Sequence, residues 1–355
     1  MKVVQMSETI VSFIIPVYNS EPYLRTCLDS LLEQGIKNIY YEIICIDDGS
    51  SDNSKAVLNQ YANTYRNIIV INQENSGVSV ARNQGLNWAR GAYVWFVDAD
   101  DMIVPNTLKT IEKYLRNNSA DRIQVESYSF SNNLTEQEKD ALKSGTLHYN
   151  MPYKDLLATR TLYKREYLEK NRIHFLENVH YGEDGFFNYR TLIFHPITIH
   201  VNVLAYLYRR HSDSASNHSC NERLKKSLSG ANCVIAELVK DYNKKICIKE
   251  TQRMLLYWMK GIIIDYSLLD NDFFMETFLW EYAINDIPFY AGFLRYLNNE
   301  LATISKEKNY CALKALARKL ETKEELMNNR RKRKKLLVSY LKHPKRFLKS
   351  FLHKT

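Results

Sequence analysis

Three acidic clusters contain the residues best suited to carry chemistry. VDADDM (97–102) and IDDGSSDNS (46–54) each end an apolar run, and GEDGFF (182–187) opens an aromatic stretch. Crowded carboxylates are costly to bury unless a cation lies between them. On one side of a strand end, Asp98 and Asp100 would suit Mg²⁺ or Mn²⁺. The alternative is a solvated, Asp-rich turn.

The second and third clusters also allow two interpretations. An acid in IDDGSSDNS is suited to bind a ribose or a base, or else Asp52 or Ser54 simply caps a helix. Taken alone, GED is typical of a helix start. No G-x-G-x-x-G and no GxxxxGK[ST] follows a predicted strand, which disfavours dinucleotide-binding and P-loop proteins.

The elements that must position these clusters alternate along the chain. Helical patterns follow Ser20, Asp52 and about Ser79, between apolar runs typical of buried strands. The predicted strands are 12–18, 40–47, 67–72 and 92–98, with further strands at 121–133 and 197–211. This order predicts an α/β fold with a mainly parallel, doubly wound sheet. Ligands bind such sheets at the carboxyl ends of the strands, where the clusters lie.

The remaining chain predicts a helical region and a basic tail. Of 355 residues, 45% are hydrophobic and 25% charged, as in ordinary globular proteins. We predict domains at 1–217, 218–327 and 328–355, with the first boundary near 217–222. The six scattered cysteines are expected to be reduced thiols. Neither a signal peptide nor a transmembrane helix is predicted.

The positive charge is confined to the tail. Eleven Lys and Arg and no acid lie in 330–355, so of the total charge of +9 the rest of the chain carries −2. Leucines and phenylalanines interleave with these cations. This pattern favours an anionic membrane surface as partner over nucleic acid, although a frayed, solvated terminus is also possible.

Four segments in order resemble glycosyltransferase family 2, whose fold is called GT-A. They are VSFIIPVYNSEPYLRTCLDSLLEQ, YEIICIDDGSSDNS, NSGVSVARNQGLNWARGAYVWFVDADD and GEDGFFN. The resemblance covers roughly residues 10–215. It implies a GT-A fold and a nucleotide-sugar donor. By this resemblance Pro16 and Tyr18 line the nucleotide pocket, Asp48 holds the base, and Arg82 and Asn83 line the donor site.

The same resemblance implies roles for the acids. Asp100 would be the main ligand of a divalent metal, Mn²⁺ or Mg²⁺, with Asp98 contacting ribose or metal and Asp101 shaping the turn. Asp184 would be the catalytic base, with Glu183 orienting the acceptor. An inverting transfer needs such a base, because the acceptor hydroxyl loses its proton as it attacks.

A looser element of the family is similar to YLYRRHSDSAS (206–216). Arg209, Arg210 or His211 could close over the diphosphate, and His211 is predicted as a third metal ligand. The alternative for His211, a lone histidine beside two arginines, is an ordinary surface position.

Together these features predict an inverting glycosyltransferase. By the family pattern it would move a sugar from a nucleotide-sugar donor, with UDP as the expected nucleotide, to a glycan or lipid-linked acceptor in bacterial surface polysaccharide synthesis. The expected location is the inner face of the cytoplasmic membrane. The alternatives are a sugar-phosphate nucleotidyltransferase, which would need a Gly-rich loop after the first strand, and a non-catalytic nucleotide-sugar-binding or scaffold protein.

Overall fold

Strands and helices alternate through the first part of the chain. A computed structural model describes residues 9–148, 157–177, 179 and 182–211, with ten further residues between 230 and 251. Its strands are β1 (Val11–Val17), β2 (Tyr41–Asp48), β3 (Ile68–Gln73), β4 (Tyr93–Phe96), β5 (Met102–Ile103), β6 (Arg122–Ser131), β7 (Thr161–Lys164) and β8 (Thr198–Arg210). Its α-helices are α1 (Glu21–Leu32), α2 (Ser54–Thr64), α3 (Val78–Trp88), α4 (Thr107–Asn117), α5 (Glu136–Lys143), α6 (Arg165–Lys170) and α7 (Glu183–Leu192).

The described strands form one sheet in the order β3-β2-β1-β4-β7-β6-β8-β5. The four strands β3, β2, β1 and β4 pair in parallel, as do β6 and β8. Strand β7 is antiparallel to both of its neighbours, and β5 is antiparallel to β8. The predicted α/β class with a mainly parallel sheet is confirmed. The two-residue strand β5 and the four-residue strand β7 were not predicted.

Helices cover both faces of the sheet, as doubly wound folds require. Phe13 and Ile15 of β1 belong to a core shared with α1, α2 and α4, whereas Ile14 belongs to a core shared with α3, α6 and α7. Successive side chains of a strand face opposite sides of the sheet, so a single strand contributes side chains to both cores. Burying each large apolar side chain contributes about 2 kcal/mol relative to leaving it exposed.

Helix α3 lies unusually close to the sheet at Gly85. A Cβ there would come within 2.3 Å of Ile14 Cγ2 and 2.8 Å of Ile46 Cδ1. Such distances are far below van der Waals contact, so a larger residue would push the helix away. The close approach fixes the height of α3, and with it the start of the Arg82 side chain, above the sheet.

Contacts divide the chain into two units, Met1–His218 and Ser219–Thr355. Most of the predicted helical region 218–327 and all of the basic tail 328–355 lie outside the described residues, so these divisions stay predictions. Within the described residues, no helix is both long and apolar enough to cross a bilayer. Cys27 and Cys45 are buried free thiols, and Cys233 is also free.

Candidate active site

A single arginine joins three of the predicted site acids. Arg82 lies on α3 and is 3% exposed, so it is a buried arginine and not a charge on the helix surface. Its Nη1 donates to Asp184 at 2.9 Å and to Glu183 at 3.2 Å, and its Nη2 donates to Asp98 at 2.8 Å. The arginine thus connects α3, the turn after β4 and the first turn of α7.

The charges of this group do not balance, because three carboxylates share one guanidinium. Burial would lower the pKa of Arg82, but Asp184, Asp98 and Glu183 outweigh it and raise that pKa above its ordinary value. Burial raises the pKa of Asp184 to about 7; Arg82 opposes the rise, and Glu183 and Asp98 add to it. Asp184 can therefore gain and lose a proton near neutral pH.

The start of α7 presents the GED acids to Arg82. Gly182 takes the N-cap position with φ of 90°, a left-handed conformation that favours glycine. Glu183 and Asp184 then lie in the first helical turn, where the helix dipole favours negative charge. Below them, the buried Phe187 anchors the helix on the second core.

The VDADDM carboxylates do not lie on a strand, so the expectation that alternation puts Asp98 and Asp100 on one side is wrong. Strand β4 ends at Phe96, and the N–H of Asp101 donates to the carbonyl of Asp98 at 3.0 Å to close a turn. The three carboxylates of this turn have separate partners. Asp98 pairs with Arg82, Asp100 lies beside His211, and the buried Asp101 accepts a hydrogen bond from Tyr206.

Asp100 and His211 meet from distant parts of the chain. Asp100 Oδ2 lies 2.9 Å from His211 Nε2, and the imidazole lies against the ring of Tyr23 at a centroid distance of 4.3 Å. Burial raises the pKa of Asp100 and the nearby Asp98 adds to the rise, while His211 opposes it. The residue predicted as third metal ligand is thus beside the residue predicted as the first.

The pair fits a divalent cation through the chemistry of its donors. A carboxylate oxygen and an imidazole nitrogen are both accepted by Mn²⁺. Among the described residues no group of three or more such side chains could hold a metal by itself. Asp100 and His211 would therefore supply two positions, and phosphate oxygens or water would complete the shell, as is usual for Mg²⁺. Because Asp98 is paired with Arg82, its metal role stays a prediction.

Buried contacts hold this turn from below. Tyr206 Oη donates to Asp101 at 2.6 Å and accepts from the N–H of Asp98 at 3.3 Å. The N–H of Arg209 donates to Asp101 at 2.7 Å, and Arg209 Nε donates to the carbonyl of Asp100 at 2.7 Å. This is the geometry expected of the turn-shaping role predicted for Asp101. Sequence reasoning gave Tyr206 no role, although it lies in the quoted YLYRRH segment.

On the nucleotide side, Asp48 is fully engaged with the loop before α3. Its carboxylate accepts from the side chain of Gln73 at 2.8 Å, and from the N–H groups of Ser76 at 2.8 Å and Gly77 at 2.9 Å.

Tyr18 is 52% exposed, free to meet a planar ligand, and Pro16 pairs with Ile46 in the sheet register. The base-binding roles of Pro16, Tyr18 and Asp48 stay predictions.

The loops after β1 and β2 are tied to each other. Asn19 Oδ1 accepts from the N–H of Ser51 at 2.8 Å, and Asp52 accepts from the N–H of Glu21 at 3.0 Å and of Ser54 at 2.9 Å. Asp52 therefore caps α1 as well as α2. Ser20 holds the predicted N-cap position of α1, but its side chain makes no capping bond.

The side chain of Asn83, next to Arg82 on α3, binds the backbone of an irregular segment. Its Nδ2 donates to the carbonyl of Phe175 at 2.9 Å, and its Oδ1 accepts from the N–H of Phe175 at 2.8 Å. No sequence signal marks Phe175, which lies in an irregular segment. The donor-binding role of Asn83 stays a prediction.

Comparisons with known proteins agree with this fold. The Glycosyl transferase family 2 model matches residues 12–182. Glycosyltransferase GlyG of Streptococcus pneumoniae serotype 4 is 30% identical over 59% of this chain and 73% of that protein. The minor teichoic acid biosynthesis protein GgaA of Bacillus subtilis is 30% identical over 70% of this chain and 58% of that protein. Other curated relatives are covered over 31%, 55% and 63% of their own length.

A solved structure extends the likeness of fold. The crystal structure of S. aureus TarS 1-349 in complex with UDP-GlcNAc has a TM-score of 0.56 and 18% identity, with 90% of this chain and 92% of that chain covered. At this identity the likeness is one of fold, and it agrees with the predicted GT-A architecture.

Proposed function

Because the chain belongs to glycosyltransferase family 2, we propose that it is an inverting glycosyltransferase acting on a nucleotide-sugar donor. The acceptor is a hydroxyl of a glycan or of a lipid-linked glycan in bacterial surface polysaccharide synthesis. The observation that carries the proposal is the position of Arg82. This arginine pairs with Asp98 in the turn after β4 and with Asp184 in the first turn of α7. A cation at this point is suited to a diphosphate, and a carboxylate with a raised pKa beside it is suited to take a proton.

Asp184 acts as the base. A single displacement at the sugar carbon requires a proton acceptor on the acceptor side, and proton transfer is most efficient when the pKa of the base lies near the working pH. The pKa of Asp184, raised by burial to about 7, meets that condition. Glu183, which shares Nη1 of Arg82 with it, orients the acceptor hydroxyl.

Arg82 and the Asp100–His211 pair act at the donor diphosphate. The planar guanidinium matches the geometry of phosphate oxygens. A divalent cation held by Asp100 and His211 would offset negative charge on the departing diphosphate. Manganese or magnesium is the expected ion, in keeping with the mixed oxygen and nitrogen donors.

The nucleoside lies against the ends of β1 and β2. The exposed ring of Tyr18 can stack on a base, next to the loop that Asp48 holds. A uridine nucleotide is our choice of donor, since the TarS complex contains UDP-GlcNAc. The acceptor class follows GgaA, a relative named for teichoic acid synthesis.

The basic tail, 328–355, brings the enzyme to the membrane. Its cations and interleaved apolar residues are suited to the anionic inner leaflet, where each cation contributes about 1 kcal/mol. A chain ending at residue 327 should keep donor binding and no longer sediment with phosphatidylglycerol vesicles. Sedimentation equal to that of the full chain would contradict this role.

The proposal is tested by sugar transfer or hydrolysis from UDP-sugars with Mn²⁺. Asp184→Asn should lower turnover by about 10²- to 10⁴-fold while UDP binding changes by less than about 2-fold. Asp100→Ala should remove the gain in UDP affinity that Mn²⁺ confers on the wild type. The control is Asp140→Asn, at an exposed position of α5. Wild-type turnover in both site variants would contradict the proposal.

A further inference from the structure

One buried aromatic ring contacts both Arg82 and the helix that carries Asp184. Phe175 is fully buried, and the Arg82 guanidinium lies 4.9 Å from its ring centroid. On the α7 side, the ring stacks on Phe187 with centroids 4.1 Å apart and planes 7° from parallel. Phe187 follows Asp184 by three residues, so both lie on neighbouring positions of one helix face. The same ring thus contacts the arginine and the helix of the base.

The backbone of Phe175 is held by the residue next to Arg82. Asn83 accepts from its N–H at 2.8 Å and donates to its carbonyl at 2.9 Å. Through these two bonds the side-chain amide of Asn83 on α3 holds the backbone of an irregular segment at both its donor and its acceptor. The position of the ring relative to Arg82 is therefore fixed from α3 itself.

Besides this ring, the polar partners that the described residues offer the guanidinium are acids. Arg82 Nε is buried without a hydrogen-bond partner among the described residues. Nη1 and Nη2 reach acids only, and acid side chains could draw the guanidinium toward any of them. Contact with the Phe175 face limits this freedom, since a cation is attracted to the face of an aromatic ring.

We propose that Phe175, held by Asn83, is a positioning residue that sets the Arg82 guanidinium against the Asp184 carboxylate. The proposal rests on the proposed function, in which these two groups serve the diphosphate and the acceptor. It gives Asn83 a different role from the direct donor contact predicted from the sequence.

Two variants and one control separate this role from simple core packing. Phe175→Leu removes the ring. Asn83→Ala removes the two bonds to the Phe175 backbone and the 3.3 Å bond from Nδ2 to Glu177, and it leaves the ring itself unchanged. Asn83→Ala therefore still tests the proposal if Phe175→Leu does not fold. The control is Phe13→Leu, which removes an equally buried ring, stacked on Trp95 at 5.5 Å, in the other core. A packing role predicts that all three variants lose thermal stability and nothing else.

The readout is the titration of Asp184 in the unliganded full chain, followed by ¹³C NMR of labelled aspartate and assigned with Asp184→Asn. The charged groups that face Asp184 are Arg82 on α3, Glu183 on α7 and Asp98 after β4. Displacement of Arg82 leaves two acids, so the midpoint should rise by about 1 pH unit in both Asn83→Ala and Phe175→Leu. In Phe13→Leu it should stay at the wild-type value.

Kinetics give the second readout. In the two variants kcat at pH 7 should fall about 10- to 100-fold, since a misplacement of about 1 Å has that effect. Because the displaced Arg82 also serves the diphosphate, the donor KM should rise as well, but by less than kcat falls. An unchanged Asp184 midpoint, or a raised KM with unchanged kcat in Asn83→Ala, would overturn the positioning role. A wild type without transfer activity would overturn the proposed function alone, because the NMR titration still decides the positioning.

Discussion

The two ends of the site use the same residue type in opposite ways. On the side proposed to bind the nucleotide (the nucleotide side), Asp48 and Asp52 accept hydrogen bonds from neutral N–H groups and tie loops together. On the side proposed to carry out the transfer (the transfer side), Asp98, Glu183 and Asp184 compete for one guanidinium.

The pKa values follow this division. Burial would raise the pKa of Asp52, but its hydrogen bonds, from Ser54 and Glu21 among others, lower it overall. Burial raises the pKa of Asp184, and Arg82 does not offset the rise. A carboxylate that holds structure is thus kept charged, whereas one suited to proton transfer is left easy to protonate.

Replacing Arg82 should have the largest effect of the changes considered, and that effect is a loss of stability. Arg82→Met leaves three carboxylates without their shared cation, which should lower the free energy of unfolding by about 3 kcal/mol. For a unit of this size, that is a fall in Tm of roughly 10 °C at pH 8. The loss should shrink at pH 5, where Asp184 is protonated. Scanning calorimetry at both pH values is the measurement.

The matched control is Arg116→Met, which removes an exposed pair with Glu112 on α4. Its cost should stay below about 1 kcal/mol at either pH. An Arg82→Met variant as stable as this control would contradict the charge imbalance described for the transfer side.

Asp48→Ala tests the nucleotide side alone. The variant leaves the N–H groups of Ser76 and Gly77 without their acceptor, so the loop before α3 should become less ordered. We expect the donor KM to rise about 10-fold, worth about 1.4 kcal/mol, with the pH dependence of turnover unchanged. Steady-state kinetics across pH values would check this. A shifted pH profile would contradict the separation of the two sides, because it would mean that removing the Asp48 charge changes the ionisation of the groups on the transfer side.

The smallest effect is expected at Asp52. Asp52→Ala removes the cap shared by α1 and α2, which should cost about 1 kcal/mol. Because the pKa of Asp52 is lowered in the folded chain, its contribution is present above the unfolded value of 3.8 and is lost as pH falls through the folded value. The Tm difference from wild type should therefore shrink as the pH is lowered below 3.8. A difference that persists there would argue for lost packing.

The sequence predicted the elements of this site better than its contacts. Long apolar runs such as those of β1 and β2 carry a clear pattern, and the acids follow them directly. Strand β5 has only two residues, so no periodicity could reveal it. The end of β4 at Phe96 also escaped prediction, because Val97 continues the apolar run while the backbone turns away.

Contacts between distant residues explain the rest. Arg82 and Asp184 are about a hundred residues apart, and the resemblance to a family assigned each a role without bringing them together. The roles of Tyr206 and Phe175 depend on buried partners from other elements. An aromatic residue in an irregular segment has no local signal that separates a positioning role from ordinary core packing.

The central claim is that Asp184 is a base whose raised pKa sets the working pH, and the pH dependence of kcat/KM tests it most directly. A base must be deprotonated to act, so kcat/KM should rise with pH through an apparent pKa near 7, and this limb should disappear in Asp184→Asn. A limb near the ordinary carboxyl value of about 4, or the same limb in Asp184→Asn, would contradict the account.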